Sequence, residues 1–178
     1  MWRQRIITLT VVLLSLLAAY GSARLEIIRR AAREIKEARE YLAHYQDPLA
    51  RNRDLEAKLA SGRITGEQYN FLIHEEILFA EDGLKGALVA YQTVIGSFNP
   101  PHSKYVDESL AGIFNCSGIF FQKDGFLLAK DGYETLVKYT ETYGLPQGAG
   151  LTQNDIKLSR ERIAICAAKL WPVKKKKS

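Results

Sequence analysis

The stretch RLEIIRRAAREIKEAREYLAHY, residues 24–45, decides the fold class. Its apolar residues recur at spacings of three and four, which is the pattern of one face of an α-helix. The stripe consists of Leu25, Ile28, Ala32, Ile35 and Leu42, and Arg39 is its single exception. Acidic and basic residues four apart occupy the other face, which is typical of a solvated helix. We therefore predict an amphipathic, stalk-like helix with a coiled-coil-like seam.

An apolar segment, IITLTVVLLSLLAAYGSA, residues 6–23, comes directly before this helix and follows Arg3 and Arg5. Its unbroken core, residues 6–19, is 14 residues long, within the roughly 7–15 expected for the core of a signal peptide. The small residues that end it resemble a signal-peptidase site, whereas a membrane span needs about 20 apolar residues. Length therefore favours cleavage after Ala23. The basic residues that follow favour the alternative, a retained membrane anchor.

The apolar segment also defines the domain organisation. We predict that residues 1–23 are a signal peptide or membrane anchor, that residues 24–173 form a single α-helical domain, and that residues 174–178 are a basic disordered tail. About 155 residues remain after the segment, which is enough for one domain with one core. We expect the protein to be exported across a membrane or anchored in one, in the periplasm or cell envelope if the source is bacterial.

Helix signals dominate the rest of the chain. Residues 65–68, TGEQ, form a capping-box pattern, and Thr152 with Asp155 opens a last helix. Two KDG triplets make one region ambiguous, because Asp-Gly between apolar runs also predicts a β-hairpin. We predict an all-α fold, an irregular bundle of five or six helices behind the N-terminal apolar helix. A small β-hairpin near 118–137 is the alternative.

The charge distribution argues against nucleic acid as a partner. The formal charge is +5, and it falls to −1 when Arg3, Arg5 and the four lysines of the tail are set aside. The body therefore has no net positive field for phosphates. The tail is a candidate for contact with anionic lipid through Lys174, Lys175, Lys176 and Lys177.

Two cysteines, Cys116 and Cys166, lie among apolar residues. In an exported protein, two cysteines most simply form one disulfide. Closing a loop of about 50 residues stabilises a fold by roughly 4 kcal/mol in the chain-entropy description. The other interpretation is a pair of buried thiols that act as small hydrophobic side chains. Export favours the disulfide.

His74, Glu75 and Glu76 form a weak candidate for a metal or acid–base site. The sequence contains neither the Glu-x-x-His spacing of di-metal bundles nor the His-Glu-x-x-His of zinc proteases. It also contains no phosphate-binding glycine loop and no nucleophile elbow. We therefore predict no catalytic residue, no metal and no cofactor.

These features favour a non-enzymatic binding module, an adaptor or inhibitor that recognises another protein. Tyrosines suit interface anchors, and the candidates are Tyr41, Tyr45, Tyr133, Tyr139 and Tyr143. One alternative is a membrane-anchored scaffold that self-associates through residues 24–45. The other is a metal- or acid-dependent enzyme that uses His74 with Glu75 or Glu76. Membrane contact is expected through residues 6–23.

Overall fold

The computed structural model describes residues 2–46, 48–97, 101 and 103–171. They form six α-helices and, between the last two, a short 3₁₀ helix: α1 Trp2–Gln46, α2 Pro48–Ala60, α3 Gly66–Gly96, α4 Lys104–Gln122, α5 Phe126–Tyr143, the 3₁₀ helix Gln147–Ala149, and α6 Gln153–Leu170. These residues contain no β-strand. The all-α prediction is therefore confirmed. The lysines at 174–177 lie outside the described residues.

Two helices start at the capping residues that the sequence predicts. The Thr65 hydroxyl accepts a hydrogen bond from the backbone N–H of Gln68 at 3.2 Å, and the Gln68 side chain accepts one from the backbone N–H of Thr65 at 2.9 Å. Thr152 and Asp155 form the same reciprocal arrangement at the start of α6. Each box satisfies backbone donors that the first turn of a helix leaves unpaired.

The two KDG triplets have different roles, and neither forms a hairpin. The first separates α4 from α5: Asp124 is in the left-handed region with φ 59°, and Gly125 immediately precedes α5. In the second, Gly132 is buried inside α5, and a Cβ added there would lie 3.3 Å from the Cβ of Ser117 on α4. Residues 118–137 are therefore the end of α4, a turn and most of α5. The hairpin alternative is wrong.

Helices α1 and α3 pack antiparallel along the body. Tyr41, near the end of α1, lies with its ring against Gly86 of α3, where an added Cβ would be 3.0 Å from the ring. Ile27, earlier in α1, lines the same cleft as Ile95 near the end of α3. Because α1 ends beside the middle of α3, the first half of α3 extends past α1 and packs against α2.

The face of α1 that packs on the body differs from the predicted stripe. Ala31, Ile35 and Ala38 are buried, whereas Leu25 and Ile28 are exposed. The alanines let the two helix backbones approach closely, so small residues rather than large ones form most of this contact. Since Ile35 already packs within the chain, the full seam over residues 24–45 is not left free for self-association.

The core is centred on α4, which packs between α3 and α5. Leu110, Ile113 and Cys116 of α4 are fully buried. Leu88 of α3 and Leu136 of α5 are buried with them. Helix α6 packs mainly on α5, and the 3₁₀ helix packs on α4. Contacts mainly between helices that are neighbours in the chain therefore hold this part of the body together.

Candidate binding cleft at the base of the apolar segment

The apolar part of α1 makes no packing contact with the body over most of its length. Residues 4–20 are exposed on every face of the helix, and Leu9 and Leu16 expose 71% and 63% of their surface. Among the described helices this one is long and apolar enough to cross a membrane, a property that signal sequences share. The helix continues without a break through Ala23 into the residues that pack on α3.

A cleft of about 560 Å³ lies where this segment meets the body, within the roughly 300–1,000 Å³ that is usual for small-molecule pockets. Helix α1 forms one wall with Tyr20, Ala23, Arg24 and Ile27. The ends of α3 and α5, together with the start of α4, form the others, which include Ile95, Ser97, Pro101, Val106, Tyr139 and Tyr143. The cleft is therefore assembled from four separate parts of the chain.

The cleft has a buried aromatic side and an exposed cationic rim. Tyr139 is only 6% exposed, and its ring centroid lies 5.0 Å from that of the exposed Tyr143. On α1, Arg24 Nη1 donates a hydrogen bond to the Tyr20 hydroxyl at 3.1 Å. Arg24 forms no ion pair with a carboxylate of the described residues. Its charge is therefore not neutralised within this part of the molecule.

The structure divides the five predicted interface tyrosines into three groups. It brings Tyr139 and Tyr143 together in the cleft. Tyr41 and Tyr45 lie at the other end of α1, the first exposed and the second half-buried against the core. Tyr133 has no exposed surface and is a core residue instead of an interface anchor.

A polar contact between Tyr133 and Arg162, missed in the sequence, ties α6 to α4 and α5. Arg162 Nη1 donates a hydrogen bond to the Tyr133 hydroxyl, and the guanidinium carbon lies 5.1 Å from the centroid of the Phe121 ring. Burial raises the pKa of Tyr133, and the hydrogen bond from Arg162 opposes that shift. Helical spacing could have indicated this contact. Arg162 lies three residues after Ser159 and four before Cys166, which are both buried on α6, so it shares their face of the helix.

The predicted disulfide is not present, because Cys116 and Cys166 are free thiols. Both side chains have no exposed surface and belong to the hydrophobic core, Cys116 on α4 and Cys166 on α6. Burial raises the pKa of Cys116 to about 12 and also raises the pKa of Cys166. The two cysteines therefore fit the other interpretation, in which both are buried thiols packed as small hydrophobic side chains.

The residues predicted as a weak metal or acid–base candidate lie on α3. His74 and Glu75 are exposed, and the side chain of Glu76 is outside what the structure describes. Adjacent residues of a helix point about 100° apart, so His74 and Glu75 diverge into solvent. Within the described ranges, no group of three or more His, Cys, Asp or Glu side chains is arranged to hold a metal ion.

A second exposed feature lies at the helical hairpin that α2 and α3 form, and we call it the hairpin patch. It consists of Ile64, Phe71 and Leu72 around a shallow depression of about 410 Å³. Phe71 is 63% exposed. The patch lies near the turn between α2 and α3. Because α3 is antiparallel to α1 and extends past its end, this turn is at the end of the body opposite the apolar segment.

No protein-family model matches the chain, and no curated protein or solved structure matches it. The cleft, the hairpin patch and the exposed apolar segment are therefore the features from which a function is inferred.

Proposed function

We propose that the protein is a membrane-tethered helical module that binds another protein and performs no catalysis. The observation that carries this proposal is the continuity of α1. One helix is apolar and exposed over residues 4–20, and the same helix is packed into the core at Ala31, Ile35 and Ala38. A helix exposing leucine on every face is stable in a bilayer and costly in water.

The dimensions of the apolar segment support its place in a bilayer. Residues 6–23 would extend about 27 Å as a helix, close to the roughly 30 Å of a hydrocarbon core. Trp2 precedes the segment and Tyr20 lies near its end, and both are exposed. Tryptophan and tyrosine are enriched at the two interfaces of membranes.

Retention of the segment is favoured over cleavage after Ala23 for a structural reason. Tyr20 and Ala23 form part of the cleft wall, and cleavage would remove them. The basic residues after Ala23, beginning with Arg24 and Arg29, support the same conclusion because they resist translocation. In this proposal α1 is both the anchor and the first helix of the body.

The hairpin patch is the proposed surface for the protein partner. It lies at the end of the body that points away from the membrane. An exposed aromatic residue such as Phe71 is the kind of anchor that contributes most to protein interfaces. The adjacent Gln68 and Glu67 form the polar edge that interfaces usually have.

Anchoring is tested by extracting membranes at alkaline pH and sequencing the N-terminus of the mature chain. We expect the protein to stay in the membrane pellet and to begin before Arg24. A mature chain that begins at Arg24 and is released into the soluble fraction would eliminate the anchor.

Partner binding is tested with a photo-crosslinking amino acid at Glu67, an exposed residue of the same depression whose side chain is not part of the capping box. We expect one reproducible adduct with another protein, lost when Phe71→Asp is added. Leu127→Asp is the matched control, because Leu127 on α5 is also 63% exposed but lies outside the patch. Two results would count against the hairpin patch: adducts that survive Phe71→Asp, or no adduct from the chain that carries the photo-crosslinking residue alone.

A further inference from the structure

The position of the cleft has a consequence that rests on the proposed membrane anchor. Tyr20 and Ala23 belong to the last turns of the apolar segment and also line the cleft. With residues 6–23 in the bilayer, the cleft opens at the level of the lipid headgroups. A lipid can then enter it from the bilayer without crossing water.

The lining of the cleft suits an acyl chain. Ile27 of α1, Ile95 of α3 and Val106 of α4 provide apolar surface from three helices. The nearly buried ring of Tyr139 extends this surface. An apolar chain that leaves one hydrocarbon environment for another does not need to be dehydrated, so the contact depends on shape rather than on the hydrophobic effect.

The charge at the rim suits an anion. Arg24 is the one charged residue among the described residues that line the cleft, and no carboxylate is among them. The two carboxylates of α4 nearest to Val106 in the sequence lie outside the cleft lining. Glu108 pairs with Arg39, and the Asp107 side chain lies beside Gly148 of the 3₁₀ helix. A guanidinium carries five N–H donors, and Arg24 uses one of them on Tyr20.

We propose that the cleft binds one anionic phospholipid from the bilayer that holds α1. The phosphate contacts the guanidinium of Arg24, with the hydroxyl of Tyr143, an exposed residue, as a second group at the rim. An acyl chain lies against Ile27, Ile95 and the ring of Tyr139. The bound lipid fills the junction between the anchor and the body.

The test is native mass spectrometry of the full-length protein, purified in detergent, stripped of lipid and titrated with phosphatidylglycerol or phosphatidylcholine of the same acyl chains. We expect one retained phosphatidylglycerol per protein and about fivefold weaker retention of phosphatidylcholine, since one basic residue contributes about that factor at an anionic surface. Retention of both lipids to the same extent would overturn the assignment of the headgroup.

Two pairs of variants separate charge from shape. Arg24→Gln should remove the fivefold preference for phosphatidylglycerol, whereas Arg29→Gln, which changes an exposed arginine of α1 outside the cleft, should preserve it. Ala23→Trp should fill the cleft and abolish retention of both lipids, whereas Ala43→Trp, also on α1 but exposed and away from the cleft, should not. Circular dichroism and thermal unfolding establish that each variant is folded. Equal effects of both members of a pair would overturn the proposal.

Two further measurements identify the source of a negative result. Flotation of the full-length protein with phosphatidylcholine vesicles tests the anchor alone: failure to float means that the proposed function is wrong. A protein that floats but retains no phosphatidylglycerol leaves the anchor standing and overturns the lipid site. Displacement of the bound lipid by millimolar inorganic phosphate would show a free-anion site instead and would also overturn it.

Discussion

Arg39 of α1 and Glu108 of α4 form an ion pair through two parallel hydrogen bonds, Nε to Oε1 at 2.6 Å and Nη2 to Oε2 at 2.7 Å. This hydrogen bonding, together with the charge of Glu108, raises the pKa of Arg39. The pair fastens α1 to the central helix of the core. Arg39 is the residue that interrupts the predicted apolar stripe, and its partner lies 69 positions away in the chain.

A double-mutant cycle on this pair should show coupling. We expect Arg39→Gln and Glu108→Gln each to lower the melting temperature, and the double variant to lose less than the sum, because either substitution alone removes the two-point contact. The control cycle uses Lys36 and Glu40, an exposed pair within α1 at 3.5 Å, and should be additive. Equal coupling in both cycles would contradict a special role for Arg39 and Glu108. High salt should reduce the coupling.

Two glycines of α4 should respond to alanine in opposite directions. A Cβ added to Gly112 would lie 2.5 Å from Cζ of the Tyr91 ring, so Gly112→Ala should destabilise the fold by about 1–3 kcal/mol through overpacking. A Cβ added to Gly118 meets Arg162 Nη1 at 3.6 Å and the Tyr133 hydroxyl at 3.7 Å, which are ordinary contacts. Gly118→Ala should therefore be neutral or stabilising, by up to about 1 kcal/mol, through helix propensity. Urea unfolding measures both, and the same sign for both would contradict the packing described at Tyr91.

Alkaline pH should destabilise the protein through Cys116. Burial raises the pKa of this thiol to about 12, whereas an unfolded thiol ionises near pH 8.5. Between these values the unfolded chain loses a proton that the folded chain keeps, so the free energy of unfolding should fall by about 1.4 kcal/mol for each pH unit above about 9. Urea unfolding between pH 7 and 10.5 measures the slope, and Cys116→Ala should reduce it by about 1.4 kcal/mol per pH unit, leaving the contribution of Cys166, whose pKa is also raised by burial. An unchanged slope in that variant would place the sensitive group elsewhere.

Thiol labelling should distinguish free cysteines from a disulfide. In the folded protein both thiols are buried, and burial raises both pKa values, so a maleimide should react slowly at pH 7. After unfolding without reductant, two equivalents should react per chain. Labelling that requires reductant would mean that Cys116 and Cys166 are bonded after all.

The capping box of α6 should make the protein acid-sensitive. The Thr152 hydroxyl and backbone N–H bond the carboxylate of Asp155 and lower its pKa. A carboxylate with a lowered pKa stabilises the fold above its unfolded pKa, near 3.9, and this contribution is lost as the pH falls through the folded value.

Thr152→Ala should cost about 1 kcal/mol at pH 7, as usual for a lost N-cap. The difference from the unsubstituted chain should shrink as the pH falls below about 4 and through the lowered pKa of Asp155, leaving the part that comes from the bond between the Asp155 backbone N–H and the Thr152 hydroxyl. Chemical unfolding at pH 7 and pH 3 measures this change. The control is Thr142→Ala, whose exposed hydroxyl donates within α5 to the carbonyl of Lys138 and should show no such pH dependence. A difference for Thr152→Ala that is the same at both pH values would mean that Asp155 is not the titrating group.

The parts of the fold that depend on short-range chemistry could be predicted from the sequence. Thr65 and Thr152 start helices because the residue three positions later completes each capping box. Sequence alone could not assign the two KDG triplets. Gly125 separates two helices, and Gly132 allows Ser117 of another helix to approach. The second role depends on a contact between residues that are distant in the chain.

The packing face of α1 and the cleft were not predictable for the same reason. Hydrophobicity ranks Leu25 and Ile28 above Ala31 and Ala38, yet the alanines are buried because α1 approaches α3 closely there. The cleft combines residues from positions 20 to 143. No local pattern marks such a site, although residue type alone predicts two of its tyrosines, Tyr139 and Tyr143, as interface residues.

Because α1 runs unbroken from the exposed apolar segment into the core, it fixes the azimuth of the body about the membrane normal in the proposed arrangement. Each residue inserted between Ala23 and Arg24 would rotate the body by about 100° and lift it by about 1.5 Å. A single inserted residue would therefore rotate the hairpin patch to a different direction about the membrane normal and move Tyr20 away from its side of the cleft. Seven inserted residues, close to two full turns, would restore the original orientation about the membrane normal, with the body about 10 Å farther from the membrane.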